Sequence, residues 1–238
     1  MARDGRRHLF AGGGFLPFLG LPAQVAAMLA TTGRPEPALC LLPTGDETDL
    51  RWLRALERTL EAGSVRVSEL RLFPMPNVAD PADLLGSADA VFVGGGSTAN
   101  MLAVWRAHGL DAVLRAAWAD GTVGGGVSAG AMAWFGSSLT DSFGPELRPL
   151  NDGLGVVEGS FCPHFDRDPR RPRYRQAVAE GRLPAGIACE DGVTAHFTDT
   201  ELTGILSERG AGRAWRLRRD DGGGLVEEPI ESPAALGT

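Results

Sequence analysis

Short apolar runs that stop at glycine clusters, separated by helical stretches, set the architecture of the first 135 residues. Residues 8–11 end in Gly12-Gly13-Gly14, residues 38–42 in Pro43-Thr44-Gly45, and residues 90–93 in Gly94-Gly95-Gly96. Residues 65–73 and 122–127 form two further runs, the second stopping at Ser128. Between them, residues 22–31, 46–62, 81–87 and 98–119 carry helical apolar spacing. It is clearest at Leu50, Leu53, Leu56 and Leu60. Such alternation predicts a mostly parallel sheet covered by helices on both faces. Open sheets of this kind place ligands at the carboxyl ends of their strands, where the glycines fall.

After residue 136 the rhythm changes. Residues 140–155 are rich in Gly, Pro, Asp and Asn and read as a surface loop. A strand leads into Cys162-Pro163-His164, and a short helix is predicted over 172–179. Residues 186–189, 193–198, 202–207 and 213–218 read as C-terminal antiparallel strands around turns such as Asp191-Gly192. The expected organisation is one α/β domain over residues 1–220 and a flexible tail over 221–238, where glycine and proline are frequent.

Composition narrows the chemistry. All 23 basic residues are arginine, which removes Schiff-base, P-loop and Ser-Lys chemistry. A net charge of −7 argues against nucleic acid as the main partner. Cys40, Cys162 and Cys189 show no metal-ligand spacing, so neither a metal nor another cofactor is expected. Three widely spaced cysteines fit a reducing cytoplasm. The stretch 9–21 is broken by Gly12, Gly13, Gly14 and Pro17, so neither a signal peptide nor a membrane span is expected.

The chemical focus is Gly124-Gly125-Gly126-Val127-Ser128-Ala129-Gly130, with residues 129–135 reading as a helix. Glycines two residues before and after a serine allow a sharp strand-to-helix turn that exposes its hydroxyl. A serine hydroxyl needs a base oriented by a third group. Of four histidines, His8 lies in a basic N-terminal stretch, His108 reads as a helix C-terminal cap, and His196 alternates with Thr194 and Thr198 in a strand. His164 stands at a strand end behind a proline, where a structural and a catalytic role are both open. Asp141, Asp152, Asp166, Asp168, Glu190 and Asp191 are all candidate acids by position. Amides of Ala129 and of the Gly94–Gly96 segment can serve an oxyanion, although that segment also reads as an anion-binding turn.

Several segments, in order, resemble the peptidase E family of serine peptidases, which also contains cyanophycinases. They are Leu9-Phe10-Ala11-Gly12-Gly13-Gly14-Phe15, Leu42-Pro43-Thr44-Gly45 and Val93-Gly94-Gly95-Gly96-Ser97-Thr98-Ala99-Asn100. Gly126-Val127-Ser128-Ala129-Gly130-Ala131, Thr140-Asp141-Ser142-Phe143-Gly144-Pro145 and Cys162-Pro163-His164-Phe165 follow. The resemblance implies a flavodoxin-like fold similar to class I glutamine amidotransferases, and a triad in the order serine, histidine, acid. It implies Ser128 as nucleophile, His164 as base, and Asp191 as acid with Glu190 as fallback. Gly95, Gly96 and Ala129 would form the oxyanion hole. Ser97 departs from the family's Gly-Gly-Gly-Asn-Thr pattern, which leaves any side-chain role of that asparagine unfilled. Known members cleave dipeptides that begin with aspartate, and Arg170, Arg171, Arg173 and Arg175 are candidate partners for such a carboxylate. A small peptide is therefore the expected substrate. An isopeptidase acting on aspartate-rich polymer, a non-catalytic binder of acidic metabolites, and a homodimer remain open.

Overall fold

The computed structural model describes residues 4–16, 21–46, 50–61, 63–210 and 212–231. The first half alternates as the sequence predicts: β1 (His8–Gly12), α1 (Ala23–Thr32), β2 (Ala38–Leu42), α2 (Arg51–Glu61), β3 (Arg66–Glu69), α3 (Pro81–Gly86), β4 (Ala90–Val93). Then come α4 (Thr98–Ala107), α5 (Leu110–Ala119), β5 (Val123–Val127) and α6 (Ala129–Met132). The single helix expected over 98–119 is two, divided where His108 caps α4 and Gly109 adopts a left-handed φ of 67°. Glycine takes that conformation without a Cβ penalty, so the chain turns there at little cost. The helix expected after Ser128 stops at Met132, because Phe135 begins a new strand.

The second half holds β6 (Phe135–Thr140), β7 (Arg148–Leu150), β8 (Val157–Cys162), α7 (Arg170–Ala179), β9 (Gly186–Cys189), β10 (Val193–Thr198), β11 (Glu201–Ser207), β12 (Ala214–Arg219) and β13 (Leu225–Ile230). Among the described residues there are two sheets. A seven-stranded sheet runs β11-β10-β1-β5-β4-β2-β3, with β1 to β5 mutually parallel and β10 and β11 antiparallel at one edge. A six-stranded sheet runs β13-β12-β9-β8-β6-β7, parallel at its centre and antiparallel at both edges. The fold is α/β, as expected, but β9 joins β8 in parallel. Residues 148–150, expected within a loop, form β7. Residues 225–230, expected within a flexible tail, pair along the whole of β12, where Leu225 helps cover the α7 side of the second sheet. Residues 232–238 of that tail lie outside the described residues, as do 47–49 and 62 of the helix expected over 46–62.

Period-two alternation sorts the core into layers. Phe10, Leu39, Leu41 and Phe92 face α1 and α2, where Met28, Leu53, Leu56 and Leu60 are buried. Leu9, Cys40, Leu42, Val91 and Val93 face the other way, against Met101, Trp105 and Leu114 of α4 and α5. That cluster continues into Phe135, Phe161 and Ile187 of the second sheet, whose far side packs on Tyr174, Ala177 and Val178 of α7. Fully burying one such side chain contributes about 1.5–3 kcal/mol, so the layers hold the strand ends in place. No described helix is long and apolar enough to cross a membrane.

Candidate active site

Ser128 follows β5, the central strand of the seven-stranded sheet, and its backbone sits at φ 55° and ψ −117°. A non-glycine residue there stores about 1–3 kcal/mol that the surrounding structure must hold. Three packed backbones do so. A Cβ on Gly126 would lie 2.6 Å from the carbonyl of Gly130, and a Cβ on Gly130 would lie 2.5 Å from Gly94 O. Strand, short helix and glycine loop therefore meet without side chains between them. The Ser128 amide donates to Gly12 O at 3.0 Å, tying the turn to β1. The serine precedes α6 without using its hydroxyl as a cap, which leaves Oγ to a different partner.

That partner is His164. Its Nε2 lies 2.8 Å from Ser128 Oγ, and its Nδ1 lies 2.5 Å from Asp191 Oδ1. The second sheet sets this meeting. Parallel register pairs Phe161 with Ile187 and Cys162 with Ala188, so both strands end level and deliver His164 beside the 190–191 turn. Burial would raise the Asp191 pKa, but the hydrogen bond and charge of His164, with those of Arg167, outweigh it and hold the carboxyl below its ordinary value. An ionised carboxylate only accepts hydrogen bonds, so Nδ1 carries the ring proton and the Nε2 lone pair faces the hydroxyl. The arrangement can take a proton from Oγ and hand it on.

Asp191 is clamped on every side. Arg167 Nε donates to its Oδ2 at 2.7 Å, Arg167 Nη2 donates to the same oxygen, and its own amide donates to Asp166 Oδ1 at 3.0 Å. The loop after β1 passes beneath: His164 N–H donates to Gly13 O at 3.2 Å and Gly192 N–H to Gly14 O at 2.8 Å. A Cβ on Gly14 would collide with Asp191 Oδ1 and stand 2.6 Å from His164 Cε1. Gly14 is thus the floor on which histidine and acid meet.

Ser128 and His164 open on a cavity of about 260 Å³, also lined by Phe15, Asp46, Trp52, Gly95 and Gly96. Gly94 N–H donates to Leu42 O and Ser97 N–H to Gly45 O, both at 2.9 Å. The Gly95 and Gly96 amides between them make no hydrogen bond among the described residues. A Cβ on Gly95 would lie 3.6 Å from Ser128 Cβ, so this backbone runs against the serine. Ala129 begins α6 directly after it. Two larger clefts, of about 750 and 620 Å³, share no residue with this cavity. Of the arginines lining them, Arg182 pairs with Glu180, Arg218 with Glu228, and Arg34 and Arg66 with Asp89.

The structure therefore brings Ser128, His164, Asp191, Gly95, Gly96 and Ala129 together, and directs other candidates elsewhere. Glu190 accepts from Trp215 Nε1 at 3.0 Å and from Arg213 N–H at 2.9 Å, pointing into the second sheet away from His164. None of Arg170, Arg171 and Arg173 lines the cavity. Arg170 reaches Leu139 O and Asp141, Arg171 pairs with Glu227 across Phe165 and Trp215, and Arg173 turns to Gln176. Arg175 also pairs with Glu227. Helix α7 packs on the far face of the second sheet, which is why its guanidinium groups miss the serine. Sequence reasoning does not single out Arg167, three residues before the first of the basic candidates, nor Phe15, Asp46 and Trp52. Position three residues after the histidine was the available signal for Arg167. Among the thiols, burial pushes Cys40 up to about 11 and Cys162 up to about 12, and all three are buried and free. No described cluster of His, Cys, Asp and Glu has the makings of a metal site.

Comparison with known proteins decides the family. The sequence model described as peptidase family S51 matches residues 11–205, most of the chain. The chain belongs to peptidase family S51. Similar members include the uncharacterised peptidase YgaJ of Bacillus subtilis (strain 168), 37% identical over 191 residues, covering 80% of this chain and 82% of that one. Peptidase E of Streptomyces coelicolor (strain ATCC BAA-471 / A3(2) / M145) is 34% identical over 124 residues, covering 44% of this chain and 47% of that one. The fold is shared with a putative peptidase E protein from Listeria monocytogenes EGD-e, at TM-score 0.61 and 16% identity over 95% of this chain and 100% of that one. It is shared too with a peptidase from an acI-B1 Actinobacterium, at TM-score 0.73 and 15% identity over 98% of each chain. This S51 protein is a peptidase of the peptidase E kind.

Proposed function

We propose that this S51 peptidase is a serine peptidase of short peptides, with Ser128 as nucleophile, His164 as general base and acid, and Asp191 as orienting carboxylate. The observation that carries this reading is the unbroken relay from Oγ through the imidazole to the carboxylate, at 2.8 and 2.5 Å, opening on a cavity. His164 Nε2 takes the hydroxyl proton while Oγ bonds to the substrate carbonyl carbon. The oxyanion so formed turns to the amides of Gly95, Gly96 and Ala129. As the carbon–nitrogen bond breaks, the same proton passes to the departing amine. Water, deprotonated by His164, then cleaves the acyl ester and restores the serine.

Because α6 spans only Ala129–Met132, its dipole adds little, and local amides carry the oxyanion. An acidic first residue, implied by the family resemblance, finds none of Arg170, Arg171 or Arg173 at the cavity, so the reading extends to short peptides in general. In the test, Ser128→Ala retains its thermal unfolding midpoint and loses about five to six orders of magnitude in kcat. A fluorophosphonate labels the native chain at Ser128 and leaves the variant unlabelled. Near-normal turnover by the variant, or no labelling of the native chain, removes the proposal.

A further inference from the structure

Strand β5 reads Val123-Gly124-Gly125-Gly126-Val127, so the strand that delivers Ser128 is glycine at three of its five positions. Glycine in a strand interior brings backbone freedom and no side chain to pack. A nucleophile at the end of such a strand needs that freedom removed by its neighbours. They occupy the places of the missing side chains. A Cβ on Gly124 would lie 3.3 Å from atoms of Leu9, Trp118 and Trp134, and one on Gly125 would collide with the Met28 thioether. Side chains also donate to the strand's carbonyls from both faces. Trp134 Nε1 donates to Gly125 O at 3.3 Å, and from the α1 face Gln24 Nε2 donates to Gly126 O at 2.7 Å.

Gln24 does more than stiffen β5. It stands in the first turn of α1, only 5% exposed, and its Nε2 also donates to Phe10 O of β1 at 2.8 Å. A carboxamide nitrogen has two protons, so both are spent, one on each strand. Register pairs Phe10 with Gly125 and Ala11 with Gly126, so one amide straddles the β1–β5 seam just before both strands end. Gly12 leaves it room, because a Cβ there would lie 2.5 Å from Gln24 Oε1. Beyond this bridge the two strands carry the two sides of the site. β5 runs into Ser128, while β1 runs into Gly13 and Gly14, whose carbonyls accept from His164 N–H and Gly192 N–H. The 2.8 Å between Oγ and Nε2 therefore depends on where the end of β1 stands against the end of β5.

On the reading of Ser128 as nucleophile, we infer that Gln24 is a positioning residue of the peptidase: its carboxamide locks the ends of β1 and β5 together and so holds the serine hydroxyl within reach of the imidazole. It touches neither substrate nor reacting atoms. The test reads the serine directly, as the second-order rate of fluorophosphonate labelling at Ser128 from about pH 5 to 9, beside the thermal unfolding midpoint. Gln24→Met keeps the length and removes both donors. It labels about ten- to a hundredfold more slowly at every pH, at temperatures where its circular dichroism is native. Gln24→Glu sets a carboxyl against the two carbonyl oxygens, and only its protonated form can still donate. Burial, those oxygens and Glu208, which lines the small gap beside residue 24, all favour that neutral form. Its labelling rate relative to the native protein is therefore highest at low pH and falls by about tenfold or more as pH rises. A glutamine that served stability alone would lower the unfolding midpoint and leave both the rate and its pH profile native. Native labelling by folded Gln24→Met, or a Gln24→Glu ratio that does not change with pH, overturns the inference. Unfolding of both variants assigns Gln24 to stability and overturns it too. A native chain that labels while the variants keep pace sinks the role of Gln24 alone, and a native chain that does not label sinks the nucleophile with it.

Discussion

The two halves of the active site are built in different ways. On the Ser128 side, β5 and the loops after β1 and β4 are adjacent strand ends of one parallel sheet, and glycines let their backbones touch. A few residues of local sequence are enough to specify each piece. On the His164 side, the histidine follows β8 and the acid, 27 residues later, follows β9, both strands of the second sheet. Their meeting depends on a parallel register and on a clamp from Arg167 and Asp166. The contrast teaches that Ser128 is held by backbone packing and the His164–Asp191 pair by long-range pairing. Each half should fail in its own manner when disturbed.

The relay half is the easier to break by chemistry. Asp191→Asn keeps the shape and removes the acceptor that sets the His164 tautomer, so kcat falls about 10⁴-fold. Glu190→Gln, one residue away, lowers kcat less than about threefold because its oxygens bind Trp215 and Arg213. Steady-state assays of both variants decide which carboxylate belongs to the site.

The seam between the halves is next. Gly14→Ala drives a methyl into Asp191 and His164, and kcat/KM falls about 10²–10³-fold while the circular dichroism spectrum stays native. Retention of full activity would show that the relay does not rest on the β1 loop.

Arg167 sharpens the comparison further. Its side chain is 59% exposed, against 12% for Asp191, so it acts as a positioning residue at the surface of the clamp. Arg167→Gln lowers kcat about tenfold, and the loss of a cation lets the Asp191 pKa rise. The Asp191 carboxyl, followed by carbon-13 NMR, then titrates at higher pH than in the native chain, with KM little changed. An arginine that does not touch the carboxylate would lower thermal stability without moving that titration.

The smallest expected effect lies where β10 crosses between the sheets' territories. Phe10 pairs with His196 in register and stacks on it at 4.1 Å, while His8 Nδ1 stands 3.0 Å from His196 Nε2. Burial, then the neighbouring His8, pushes the His196 pKa down to about 4, against a smaller opposite pull from Asp4. The unfolded chain therefore binds this proton near pH 6.5 and the folded chain only near pH 4. Stability falls as pH drops through that window and is fully present above it. Thermal unfolding midpoints between pH 7.5 and 4.5 measure the slope, which His196→Gln flattens.

Much of the site could be read from the residues because its determinants are local. The glycine-flanked serine, the strand ends marked by glycine, and the proline before His164 each act through their immediate neighbours. What stayed hidden depends on partners far along the chain. Adjacent carboxylates at 190 and 191 leave a strand end on opposite sides, and only the position of β12 shows that Glu190 belongs to Trp215. The basic run after His164 looked like a substrate grip, yet α7 covers the outer face of the second sheet and spends its arginines on Asp141 and Glu227. The glycine- and proline-rich end looked frayed, but its 225–230 segment completes that same sheet.

By itself, then, the sequence determined a parallel α/β core, a serine displayed on a strained turn, and a histidine available at a strand end, since sterics and hydrophobic period act over a few residues. The tertiary structure alone decided which acid orients the histidine, which arginine braces that acid, and which side chains wall the cavity. Those choices follow from strand register and layer packing, which join residues that nothing in their local spacing connects.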